Sequence, residues 1–110
     1  MSAIALKQFD TAREIEQTLE INDVAINLDG TTVALNWYDL LRQTMWTRAA
    51  TIVTAATGDV SYQPVDEDVE NAGDFELEWV ISYPDQTRLT VPTESRIAVT
   101  IYPAIVPSSP

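Results

Sequence analysis

The chain has 110 residues, 45% of them apolar and 21% charged, the size and balance of one globular domain without a disordered composition. The 17 acidic and 6 basic residues leave a net charge of −11, which repels phosphate backbones and anionic lipid and excludes nucleic acid and membrane surfaces as natural partners. Without cysteine or histidine there is no disulfide, no thiolate metal site and no histidine-based hydrolytic triad.

The opening "MSAIALKQFD" has neither the basic start nor the apolar block of a secretory signal, and no window approaches the roughly 18 apolar residues of a membrane span. A protein made in the cytosol is expected. Ile15, Gln17, Leu19 and Ile21 alternate with Glu14, Glu16, Thr18 and Glu20, as on a strand, although Thr11 with Glu14 three residues on leaves a capped helix open as the competitor. "INDVAINLDG" offers Asn22, Asp23, Asp29 and Gly30 as turn formers and reads as a loop between strands. "TTVALNWYDLL" and "TMWTRAATIVTAA" are β-branched and aromatic and each long enough for a strand, and Thr57, Gly58 and Asp59 mark a hairpin before Val60 and Tyr62. The acidic "DEDVENA" predicts an exposed connection with at most one helical turn.

The strongest periodicity comes last. Phe75, Leu77, Trp79, Ile81 and Tyr83 alternate with Glu76, Glu78, Val80 and Ser82, a strand with one dry face. Pro84 and Asp85 reverse the chain, Leu89 and Val91 open the return strand, and Pro92, which has no N–H to give a ladder, predicts a bulge, kink or sheet switch before Ile97, Val99 and Ile101. About seven short strands in this order predict an all-β fold, an immunoglobulin-like antiparallel β-sandwich without a disulfide, spanning residues 1–103, with 104–110 as a C-terminal tail. Trp79 is expected in its core. Trp46, flanked by polar residues, is a candidate for contact with a partner.

Chemistry is sparse. Lys7 reads as a solvated side chain, and Glu76 and Glu78 as solubilising charges on one strand face rather than an acid–base pair. Asp66, Asp68, Glu70 and Asp74 are oxygen ligands of the kind calcium prefers, but Asn71 stands where a calcium loop needs glycine and Leu77 where it needs its bidentate acid. With three glycines in the chain, no phosphate cradle is present. No catalytic residue, metal site or cofactor is predicted.

The order of features from Ile4 to Ile101 resembles the N-terminal domain family of the tailed-phage baseplate upper protein. "KQFDT" at Lys7 to Thr11 is similar to that family's K-Q-G-D-T turn, with Phe9 in place of glycine. "LEINDVAINLDG" matches loosely at Leu19, Asp23, Leu28 and Gly30, and "IVTAATGDVSYQP" resembles the family's central hairpin. The closing "NAGDFELEWVISYPDQTRLTVPTESRIAVTI" is the strongest match, departing at Gln86, where the family has a turn glycine, and at Val91, where an aromatic is common. The resemblance implies a non-enzymatic virion protein, made in the host cytoplasm, that decorates or stabilises capsid, neck, tail or baseplate by docking in many copies on other virion proteins. The alternative is a host-glycan module, favoured if Trp37, Tyr38 and Trp46 lie exposed together. For docking, the apolar ends of the chain are the candidates, namely Ile4, Leu6, Ile105 and Val106, together with Trp46.

Overall fold

The computed structural model describes residues 4–92 and 96–105. Strands account for 55% of the described residues and helix for 7%, so the fold is an all-β sandwich, as the alternation predicts. In chain order the strands are β1 (Ile4–Lys7), β2 (Ile15–Thr18), β3 (Glu20–Ile21), β4 (Val24–Ala25), β5 (Thr32–Asp39), β6 (Thr44–Ala49), β7 (Thr51–Thr54), β8 (Asp59–Tyr62), β9 (Gly73–Ser82), β10 (Arg88–Val91) and β11 (Ile97–Tyr102); one helical turn, α1 (Asp66–Val69), precedes β9. They outnumber the runs read from sequence because Leu19 and Ala50 each interrupt one of those runs, and because Val24–Ala25 pairs with Glu20–Ile21 across a tight turn. Asn22 and Asp23 hold φ of 53° and 65° there, as a two-residue hairpin turn requires.

The larger sheet runs β1-β11-β9-β5-β6, with β10 also on β9, and the smaller runs β2-β8-β7. All these ladders are antiparallel except β1 on β11, which is parallel. Between the sheets lie Val33, Leu35 and Trp37 of β5, Phe75, Leu77, Trp79 and Ile81 of β9, and Ile15, Val60 and Tyr62 from the smaller sheet. Trp37 and Trp79 are fully buried, and neither indole N–H has a hydrogen-bond partner among the protein groups, so both serve as bulky apolar fillers. Residues 44–54, most of the run read as one strand from 44 to 56, turn the corner of the sandwich. β6 pairs β5 in the larger sheet, β7 pairs β8 in the smaller, and Ala50 between them donates its N–H to Val33 O at 3.0 Å.

Pro92 breaks the return strand without moving it to the other sheet. Both β10 and β11 lie along the same edge of β9, Val91 opposite Trp79 and Ile97 opposite Leu77, so the ladder is interrupted between them, opposite Glu78. The 83–87 turn closes through Gln86 N to Tyr83 O and Tyr83 N to Thr87 O, both 2.9 Å, and Asp85 accepts from the Thr87 hydroxyl at 2.6 Å and its N–H at 3.0 Å. Those two bonds hold the Asp85 carboxyl below its ordinary pKa.

Gln86 sits at φ 72° in this turn, a left-handed conformation that costs a side-chain-bearing residue about 1–2 kcal/mol. Gln86→Gly is therefore expected to raise stability by about 0.5–1 kcal/mol, after the entropy that glycine adds to the unfolded chain is subtracted. An unchanged or lower urea midpoint contradicts this.

Candidate functional site

Two sites stand out, one buried and structural, the other exposed. The buried one centres on Asp68 in α1, in the acidic connection that the sequence predicts to be exposed. Asp66, Glu67 and Glu70 are exposed, but Asp68 and Val69 are buried, which corrects that expectation for the middle of the segment. The physical reason is the set of donors that converges on Asp68. One carboxylate oxygen accepts from Trp46 Nε1 at 2.7 Å and Arg48 Nε at 3.2 Å; the other accepts from Val65 N at 3.0 Å and from the Tyr62 hydroxyl.

Trp46 and Arg48 project from the same face of β6, and Tyr62 from β8, so one carboxylate ties the connection to both sheets. A buried charge is tolerable only with such pairing. Burial works against the Arg48 charge, but the hydrogen bond and charge of Asp68 more than offset it and raise its pKa above the ordinary value. Burial and then the bond to Asp68 push the Tyr62 hydroxyl well above its ordinary value of 10.0.

A group whose folded pKa is raised stabilises the fold below its unfolded pKa and loses that contribution as pH rises through the folded one. Stability is thus expected to decline once pH passes about 10, the unfolded value for tyrosine. Tyr62→Phe removes this part of the decline, at the cost of the hydrogen bond. Equal alkaline slopes for the two proteins in urea unfolding at about pH 9 and about pH 11 would show that Tyr62 is not the group responsible.

The exposed site is one end of the larger sheet. Because β1 runs parallel to β11 while β9 runs antiparallel to β5 and β11, the C-terminal ends of β1, β5 and β11 meet the start of β9 at a single pole. There the chain exposes Phe9 (49%), Leu40 (42%), Leu41 (74%), Tyr102 (55%) and Ile105 (100%). Three strand spacings separate β1 from β5, so these residues spread over roughly 15 Å. Gln8 fastens the pole: its N–H bonds Tyr102 O at 2.9 Å, its side-chain amide donates to Glu70 O at 2.8 Å and accepts from Ala104 N at 3.3 Å. Asp39 fastens the Leu40–Leu41 tip, accepting from Leu41 N at 3.0 Å, Arg42 N at 3.1 Å and Arg42 Nη1 at 3.1 Å. Exposed Asp10, Glu70 and Asp74 stand at the pole against Lys7 and Arg42, so its border is net negative.

The candidates named from sequence divide accordingly. Ile105 belongs to the pole, Ile4 is half-buried on β1, and Leu6 is 3% exposed, held in the chain's own core and so not free to meet a partner. Val106 lies outside the described residues. Trp46 is half-buried, stacked on Trp37 with ring centroids 6.2 Å apart and its N–H held by Asp68, so it is part of the fold's own framework. Phe9, Leu40, Leu41 and Tyr102 were not legible as a group, because three separate segments bring them together.

On the outer face of the larger sheet, Asn36, Tyr38, Met45, Glu76, Glu78 and Arg96 line a shallow hollow. Its polar groups engage one another. Arg96 pairs Glu76 at 3.0 Å and lies over the Tyr38 ring at 5.6 Å, and Asn36 donates to Glu78 at 3.3 Å. Among the described residues, no three acidic side chains converge as metal ligands, and no helix is long and apolar enough to cross a membrane.

Compared with models of known protein families and with curated proteins, the chain matches none.

Proposed function

We propose that this protein is a non-enzymatic structural subunit of a tailed-phage virion, a small sandwich that docks in many copies on capsid, neck, tail or baseplate proteins. The exposed pole carries the reading. Five large apolar side chains held outward at one end by Gln8 and Asp39 are costly to leave in water and suit burial against another protein. Given the acidic rim, the matching surface is an apolar recess fringed by lysine or arginine.

Backbone conformation supports the resemblance that motivates the virion assignment. At Phe9 and Gln86 the phage family carries glycine and this chain does not, and both hold left-handed φ, 71° and 72°. Glycine is the residue those conformations favour. The glycan alternative lacks the feature that would favour it. Trp37 and Trp46 face into the sandwich, whereas Tyr38 lies on the opposite face of β5 under Arg96.

Mass spectrometry and imaging of purified particles test the assignment: the polypeptide is expected at a repeated site with its Leu41 end against the particle. Leu41→Lys is expected to weaken docking by about 10–100-fold, from the roughly 1.5–3 kcal/mol that burying a leucine supplies. A polypeptide absent from the particles, or full occupancy with Leu41→Lys, refutes the reading.

A further inference from the structure

Several exposed strand edges carry devices that normally keep β-proteins from pairing with each other. On β1, the outer strand at one side of the larger sheet, the Ala5 carbonyl is taken by Arg13 Nη1 at 3.2 Å, and Lys7 closes the strand. β2, an edge of the smaller sheet, carries exposed Glu16 and is flanked by exposed Glu14 and Glu20. At the other edge of that sheet, β7 is broken by a register shift between Ile52 and Thr54. Acids, lysine and bulges all discourage edge-to-edge association.

β6 has none of these. Its six residues pair β5 without a shift, from Thr44 opposite Asp39 to Ala49 opposite Ala34, and its other side meets no strand among the described residues. The strand contains no proline, lysine or acid, and Thr44, Met45, Thr47 and Ala49 are exposed, Met45 at 64%. The one charge on it, Arg48, is already paired with Asp68 at 3.2 Å and Glu67 at 3.9 Å.

Charge says which partner fits. In a chain with 17 acidic residues none falls within 40–58, the segment that holds β6. Copies at −11 repel each other across most of their surface, and this segment brings no acid of its own to the approach, while exposed Glu67 beside it is paired with Arg48 at 3.9 Å. A short, straight, flat edge of threonine, methionine and alanine is also self-complementary, as a two-fold contact demands.

We propose that β6 is the seam of a symmetric dimer, pairing antiparallel with β6 of a second copy so that the larger sheet continues across a two-fold axis. The seam supplies the repetition invoked above and rests on that reading only for its biological use. It leaves the apolar pole free, because the pole lies at the end of the strands and the seam along their side.

Sedimentation velocity of the intact chain from about 10 µM to about 1 mM tests it. A reversible dimer is expected. Thr47→Lys, which sets like charges against each other at the two-fold and gives up the hydroxyl bond to Asn36 Oδ1 at 2.8 Å, is expected to weaken it at least about tenfold while leaving the far-ultraviolet circular dichroism of the monomer unchanged. Glu16→Lys on β2 leaves the dimer intact. Because the chain has no cysteine, Thr47→Cys gives an independent reading: oxidation links it into covalent dimers far faster than Glu16→Cys. A monomer at every concentration overturns the seam, as does a dimer indifferent to Thr47→Lys or one lost with Glu16→Lys. Those outcomes leave the virion assignment standing, whereas a dimer of this kind in a protein absent from particles refutes the assignment alone.

Discussion

Asp68→Ala is expected to lower the unfolding free energy by about 3–5 kcal/mol, a large share of the roughly 5–15 kcal/mol that holds a domain of this size together. The truncation leaves four donors without their acceptor. Trp46 Nε1, the Tyr62 hydroxyl and Val65 N lose their partner, and Arg48 keeps only the longer contact to exposed Glu67. Asp68→Asn separates charge from shape. Its single carbonyl oxygen cannot serve both pairs of donors, and its NH₂ opposes one of them, so a loss of about 2–3 kcal/mol is expected. Urea unfolding followed by tryptophan fluorescence measures both, and Trp46 reports directly because it touches the carboxylate. A loss under about 1 kcal/mol for the alanine variant means that the contacts around Asp68 do not join the two sheets as described.

Gly58→Ala is expected to cost about 2–4 kcal/mol, through backbone rather than side-chain contacts. Gly58 holds φ +74° at the turn between β7 and β8, and an added Cβ would stand 2.7 Å from Leu19 O and 2.8 Å from Ile26 O. The Leu19 carbonyl cannot rotate away, because it accepts from Ile26 N at 2.9 Å and Leu19 N donates to Gly58 O at 2.8 Å. The methyl would force the 19–28 segment off the β7–β8 turn. Gly30→Ala is the control. It has a similar φ of +77° but its Cβ meets only Pro84 Cγ at 3.9 Å, so it isolates the conformational cost of about 1–2 kcal/mol. Equal losses for the two variants would show that the close approach at Gly58 contributes nothing. Faster amide exchange at Leu19 and Ile26 in Gly58→Ala alone would locate the damage.

The two variants probe features of different visibility. Gly58 was legible as a turn residue from "ATGDV", but not as a point of backbone contact, because the carbonyls it touches belong to a segment more than thirty positions earlier. Asp68 was hidden more deeply. In "VDEDVENA" it has the same local surroundings as Asp66 and Glu70, which are solvated, and nothing nearby in the chain distinguishes it. A signal did exist elsewhere: Trp46 and Arg48 stand two apart on one strand, so two donors share a face that elsewhere in the sheet is apolar, and such a face calls for a buried acceptor.

Alternation at Phe75, Leu77, Trp79 and Ile81, and at Val33, Leu35 and Trp37, determined the two central strands and which side of each is dry, since a period of two admits no other placement of those side chains. Turn chemistry at Asn22–Asp23, Thr57–Gly58 and Pro84–Asp85 determined where the chain reverses. Only the tertiary structure decided which edge was left bare, which acid was drawn inward and which apolar residues gathered at one pole. Each of those depends on segments distant in the chain becoming neighbours, and local pattern records what a residue prefers, not what it will meet.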